Sequence, residues 1–345
     1  MTRAIKIIIF ILAVLAGLMA FNIILDKYSV LRNDLKRINS DCYYITNLNF
    51  NYFKIEHLLA NREKYDSLLF GTSRIFYLDV AKIPGYRFYN FSTPLTFPRI
   101  WREDLQFLLS KGIKLKNVMI VIDEVSFRLT QKAHSRKLEF RRYPYGYPDK
   151  LFYYLRFLLA IPETEDVQHF FGYGHLDRKY RLFENGLYVA YYMEDKINAD
   201  PEGHVKSDFF KQPTIMGENV LKIDECINDI SEMKKICDKN GIKFTVIITP
   251  VNKITYLYWN MDQFNQFKKK LANATDYYDF SGLNSITTNN IYYYETSHYR
   301  NMVGDMMLAR IFNLKSINVP ADFGFYVTAG NIDAHIKKLR EQVKN

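Results

Sequence analysis

The chain has 345 residues, 48% of them hydrophobic and 24% charged, with a formal net charge of +10. These proportions are those of a globular protein and exclude a disordered or low-complexity chain. The positive charge suits anionic lipid or polysaccharide, whereas scattered Lys and Arg and the lack of a recognition motif argue against a nucleic-acid partner.

Ile7 to Leu25 contains no charged residue. As a helix it would span about 28 Å, close to the hydrocarbon thickness of a bilayer. A cleavable signal peptide has a shorter apolar region and ends in small residues, and Leu18-Met19-Ala20 is a poor match to such a site. Residues 1–25 are therefore expected to be an uncleaved single-pass signal anchor. Lys27, Arg32, Lys36 and Arg37 follow it, so charge bias does not by itself orient the span. Residues 26–63 are polar and aromatic and read as a stalk.

From residue 64 onward strands and helices alternate. Ser67-Leu68-Leu69-Phe70 is an apolar run stopped by Gly71-Thr72-Ser73, a strand entering a turn. Arg87 to Phe91 reads as a second strand. Pro98 opens a helix with Trp101, Leu105 and Leu108 on one side, closed at Gly112. Val118 to Ile122 is apolar throughout, as a strand buried on both faces should be. Residues 131–215 break the rhythm and read as an insertion between the two halves of one domain, 64–130 and 216–314. In the second half, Ile223, Cys226, Ile230, Met233 and Cys237 recur with helical spacing. Phe244 to Ile248 and Tyr277 to Phe280 are further strands, and a last core helix runs from about Met302 to Phe312. Residues 315–345 are a tail with a helix. Such alternation predicts an α/β fold with a parallel sheet covered on both faces, whose ligands bind at the carboxyl ends of the strands. The cysteines, Cys42, Cys226 and Cys237, show no metal-type spacing, and neither a metal nor a cofactor is expected.

Two short segments carry chemistry. Ser73 follows a buried strand at a glycine turn, where its hydroxyl stands at the sheet edge with backbone N–H groups near it. That suits a nucleophile whose oxyanion is held by backbone donors. Alone, it reads as a helix cap, since Ser is a favoured N-cap. Glu295-Thr296-Ser297-His298 places a carboxylate within one turn of chain of an imidazole that it could orient. Alone, it is a surface turn.

Together the two segments resemble the outer blocks of the SGNH (GDSL-like) hydrolase family, over roughly residues 64–314 without the insertion. Within that family the chain looks most like membrane-anchored cell-envelope members, the polysaccharide O-acetylation proteins and the D-alanyl-transfer protein of teichoic acid. The resemblance implies a flavodoxin-like three-layer α/β/α fold. It maps the nucleophile to Ser73, the base to His298 and the acid to Glu295, although the family's usual acid is Asp. The inner blocks depart further. Tyr89-Asn90-Phe91-Ser92 looks like the family's second block, but the glycine expected next is replaced by Thr93-Pro94-Leu95-Thr96. An oxyanion hole would then draw on Arg74 N–H and an amide of Leu95 or Thr96. Where the family often places a donor Asn, this chain has Asp123-Glu124, and an ionised carboxylate cannot donate.

The expected function is an extracytoplasmic serine acyltransferase or esterase on an envelope glycan. An acyl donor would be supplied by a multi-span membrane partner, because one span cannot carry a cytoplasmic donor across. Arg141 and Arg142 in the insertion are expected to contact the glycan acceptor. The rivals are a non-catalytic glycan-binding or assembly protein with an impaired oxyanion hole, and a lipid-directed hydrolase.

Overall fold

The computed structural model describes residues 2–128, 138–173, 179–214 and 222–344. Helix α1 covers Arg3–Leu25, and the short helices α2 (Leu35–Ile38), α3 (Cys42–Thr46) and α4 (Phe50–Ala60) follow. Next come β1 (Ser67–Gly71), β2 (Phe88–Ser92), α5 (Pro98–Ser110) and β3 (Asn117–Ile122). The inserted segment holds α6 (Tyr147–Leu158), α7 (Thr164–Phe170), the hairpin β4 (Tyr180–Leu182) and β5 (Tyr188–Ala190), α8 (Tyr191–Ala199) and α9 (Pro201–Val205). The chain then continues through α10 (Ile223–Lys239), β6 (Lys243–Ile248), α11 (Lys253–Tyr258), α12 (Met261–Ala274) and β7 (Tyr277–Asp279). It ends in α13 (Asn301–Phe312), β8 (Phe325–Val327) and α14 (Ile332–Lys344).

The main sheet has six strands in the order β2-β1-β3-β6-β7-β8. The first five are parallel, and β8 runs antiparallel to β7. Alternate residues of each strand serve opposite faces. Phe70, Ile120 and Ile248 join one core with Trp101 of α5, Ile230 of α10 and Phe267 of α12. Leu69, Val121 and Ile247 join the other with Val303 and Met307 of α13. Burying each such side chain contributes about 1.5–3 kcal/mol, so both faces must stay covered.

Three parts of the chain outside the two core halves are built into the domain. Residues 26–63 are not a free stalk, because α4 packs into the domain with Phe53, Ile55 and even Lys54 buried. Lys54 donates to the carbonyls of Asn90 (2.8 Å) and Gly186 (3.2 Å), and burial pushes its pKa well down. The tail after residue 314 is integrated, since it supplies edge strand β8 and the docked helix α14. The inserted segment, part of which lies outside the described residues, is stapled to the core. Its Asn185 carbonyl accepts from Asn90 N–H, and Gly186 (φ +81°) lies so near that a Cβ would come within 2.2 Å of the Asn90 oxygen.

Candidate active site

Strands β1 and β3 lie on either side of the point where strand order reverses, the crevice in which open α/β sheets bind ligands. Gly71 ends β1 there in a tight place: a Cβ would press on the Ile75 side chain at 2.6 Å and on the Val121 carbonyl at 3.3 Å. Ser73 opens a single 3₁₀ turn, Ser73–Ile75, and stays half-buried.

Although 225 positions apart in sequence, Ser73 Oγ and His298 Nε2 are 3.0 Å apart. On the far side of the ring, His298 Nδ1 is hydrogen-bonded to Glu295 Oε1. An ionised carboxylate only accepts, so Nδ1 carries the proton and Nε2 is left to accept from Ser73. Glu295 also takes the N–H of His298 (2.7 Å) on Oε1, and the N–H of Ser297 (2.8 Å) and the Thr214 hydroxyl (2.7 Å) on Oε2. Burial pushes its pKa up, but His298 and these donors outweigh burial and hold it down at about 2. The side chains of His298 and Glu295 keep 26% and 25% of their exposure, enough for a ligand to reach the ring.

The remaining expected residues divide. Asn90 is fully buried, and its amide is spent on the chain itself. Its Nδ2 donates to the carbonyls of Ile75 (2.8 Å) and Leu78 (3.1 Å), and its Oδ1 accepts from Ser92 N–H (3.0 Å). Asn90, expected among the oxyanion or substrate residues, thereby shapes the turn that carries Ser73. Asp123, expected in the same set, is likewise engaged within the chain. Its carboxylate takes the Arg74 guanidinium at 3.1 Å, the Thr72 hydroxyl, and the N–H (3.1 Å) and hydroxyl (3.2 Å) of Ser126. The Arg74 side chain is thereby consumed as well, while its N–H reaches Thr72 Oγ1 at 3.3 Å.

The 93–96 loop sits against the nucleophile turn, with Thr93 N–H donating to Gly71 O at 3.0 Å. The Thr96 hydroxyl stays inside the loop, donating to the Thr93 carbonyl at 2.9 Å and accepting from Trp101 Nε1 at 2.9 Å. Leu95 adopts φ 54°, the left-handed region where the resemblance calls for glycine. Holding Leu there costs about 1–2 kcal/mol. Arg142 is exposed, pairs with Glu103 at 2.8 Å and helps to line a crevice of about 10 Å³ with Thr93, Pro94 and Thr96. Arg141 is half-buried, and its carbonyl accepts from Asn49 at 3.0 Å.

Thr214 was not foreseen, because nothing in sequence ties a threonine at the end of an insertion to a carboxylate 81 positions on. Glu194 of α8 was not foreseen either. It pairs with Arg300 and accepts from Tyr294, so it grips both flanks of the Glu295–His298 loop. His169 stacks on Tyr43 with ring centroids 3.9 Å apart. Among the described residues, no group of three or more metal-type side chains converges. A cavity of about 650 Å³, lined by Lys243, Asn273, Asp276 and Tyr326, opens at the amino ends of β6 and β7, away from this chemistry.

No protein-family model matches the chain, and no curated protein sequence matches it.

Proposed function

We propose that the chain is a serine acyltransferase or esterase of the SGNH type that acts on an envelope polysaccharide through an acyl-enzyme. Helix α1, long and apolar enough to cross a membrane, would anchor it with the folded part outside the cytoplasm. One observation carries the reading: the unbroken path from Glu295 through His298 to the Ser73 hydroxyl, at the carboxyl edge of a sheet whose parallel strands follow the flavodoxin-like order. Ser73 Oγ attacks the acyl carbon of a donor while His298 Nε2 takes its proton. Glu295 stabilises the imidazolium. The oxyanion draws on Arg74 N–H, which would give up its 3.3 Å bond to Thr72 Oγ1, and on an amide of Leu95 or Thr96, which the left-handed Leu95 would turn toward it. His298 then protonates the leaving group. A sugar hydroxyl or water, deprotonated by His298, releases the acyl group and restores Ser73. A multi-span partner would bring the acyl donor, and Arg142, beside the 93–96 loop, would meet the glycan.

A second reading has its own observation. The side chain at the family's donor position, Asp123, is an acceptor locked to Arg74. A glycan-binding protein without turnover could keep the Ser73–His298 contact with a poor oxyanion hole. A fluorophosphonate probe on the membrane-inserted full chain separates the two readings. The enzyme is labelled at Ser73, and H298A abolishes labelling. An intact, folded chain that resists labelling favours the binding protein.

A further inference from the structure

Helix α6 is apolar on two sides. Tyr153 and Phe157 are buried in the core, while Leu151, Phe152, Leu155 and Leu159 fall within about a 100° arc of the opposite, outward side. Phe152 is 61% exposed, Ile161 just beyond the helix 86%, and Phe171 after α7 67%. A helix at a water surface would carry polar residues there; an apolar outward face is that of a helix lying in a bilayer interface.

The position of this face relative to α1 gives it an occupant. Asn22, three residues before the end of α1, donates to the carbonyls of Leu158 (3.0 Å) and Ala160 (2.9 Å) and so caps the end of α6. Three residues are about 4.5 Å of helix, so the end of α6 lies that far inside the end of the apolar run. Phe21 packs on Phe170 of α7 with ring centroids 5.0 Å apart. Lys27 pairs with Glu163 at 2.9 Å and with Asp166 at 2.8 Å. These contacts clamp α6 and α7 to the mouth of α1 instead of leaving the domain on a tether.

We infer that the outward face of α6, with Ile161 and Phe171, is a lipid-docking surface embedded at the headgroup–acyl boundary beside α1. It rests on the reading of α1 as a membrane span. Apolar burial drives the docking, and the depth of the clamp, about 4.5 Å, lies at the shallow edge of the 5–10 Å at which interfacial helices sit. Docking would fix the sheet edge bearing Ser73 at one height and tilt above the bilayer, so the site would sample acceptor chains at a set distance from the membrane.

The full chain in phosphatidylcholine vesicles tests this with single-cysteine labelling, because Cys42, Cys226 and Cys237 are buried and slow to react. An environment-sensitive fluorophore is placed in turn at F152C, I161C, I11C within α1, and K206C on an exposed polar surface. The expected result is a blue shift and loss of most of the fluorescence to shallow spin-labelled lipid at 152 and 161, loss to deep spin-labelled lipid at 11, and no change at 206. Quenching at 11 without quenching at 152 and 161 overturns the docking surface and leaves the anchor standing. No quenching at 11 overturns the anchor and the surface together. Quenching at 206 as strong as at 152 also overturns it, because the contact would then not be specific to α6.

Discussion

Among the described residues, two serine–histidine–carboxylate groups lie at the same edge of one sheet, and they are wired differently. In the first, Glu295 holds His298 and His298 meets Ser73, a line that ends in a half-exposed hydroxyl. In the second, every donor points at the carboxylate. Asp279, at the end of β7, takes Lys268 at 2.9 Å, His335 at 2.8 Å and the Ser281 hydroxyl at 2.6 Å. Ser281 Oγ accepts from the Lys268 ammonium at 2.7 Å, and its own proton goes to Asp279, a carboxylate held too strongly ionised to act as an effective base. Asp279 and Lys268 are fully buried under α14. Burial alone would raise the Asp279 pKa, but Lys268 and His335 hold it far below the usual carboxylate range. Residue types alone do not make a nucleophilic site; a linear order of acceptor, base and nucleophile, open at the nucleophile, does.

The comparison breaks first at Ser73 and His298. S73A or H298A should lower fluorophosphonate labelling or acyl turnover by about 10⁴-fold or more, because a triad without its nucleophile or base keeps only binding and oxyanion effects. Urea midpoints should barely move, since neither side chain is fully buried. A large stability loss with retained labelling would make this group the structural one.

Glu295 comes next. E295Q should cost about 10³–10⁴-fold in labelling rate, through loss of the tautomer that leaves Nε2 free to accept. Its effect on stability depends on pH with a definite sign. The folded chain keeps Glu295 ionised down to about pH 2, whereas an unfolded Glu titrates near 4.5. The stabilisation is complete above 4.5 and is lost as pH falls from there to about 2. Urea unfolding of wild type and E295Q across pH 6 to 2.5 should therefore converge at the acid end. A constant gap would mean that the ionised form is not the one stabilised.

The inner group should answer in the opposite way. D279N leaves a buried ammonium without its counter-charge and should cost about 3–5 kcal/mol of stability. The labelling rate of the surviving folded protein should stay within about threefold of wild type, given the absence of an effective base at Ser281. A drop in labelling without a drop in stability would show that the two groups are coupled.

What the sequence disclosed follows the same division between local and distant causes. The run ending at Gly71-Thr72-Ser73, the all-apolar Val118–Ile122 and the spaced Ile223–Cys237 announced their elements because each pattern is set by nearest neighbours on one strand or helix. Glu295 and His298 were legible because three residues of chain suffice to join them. Helix α4 was hidden because Asn51, Lys54 and His57 are polar yet buried, Asn51 and Lys54 satisfied by partners distant in sequence and His57 by Tyr65 beyond the helix, so its pattern reads as surface. Strand β8 is three residues long and gains meaning only beside β7. Asn90 and Asp123 stand where the family resemblance led one to look, and their partners within the chain, which no spacing announces, make them supports of the Ser73 turn.

Thr214 gives the smallest effect and the sharpest one. It joins the inserted segment to the carboxylate of the outer group, with its hydroxyl donating to Glu295 Oε2 and its N–H held by Thr255 (3.1 Å) and Thr296 (3.0 Å). T214V keeps the shape and the backbone bonds and removes one donor of the four residue-contributed bonds to that carboxylate. A single such bond to a charged group is worth about 1.5–3 kcal/mol, so labelling should slow by about 10- to 100-fold. The Glu295 pKa should rise, because one of the bonds that favour its charged form is gone. The acid-side window in which E295Q and wild type converge should move upward accordingly when measured in the T214V background. T214S restores the hydroxyl and should restore both the rate and the window. If T214V lowers stability, leaves labelling and the window unchanged, and T214S does not differ from it, Thr214 merely fastens the insertion and the outer group is complete without it.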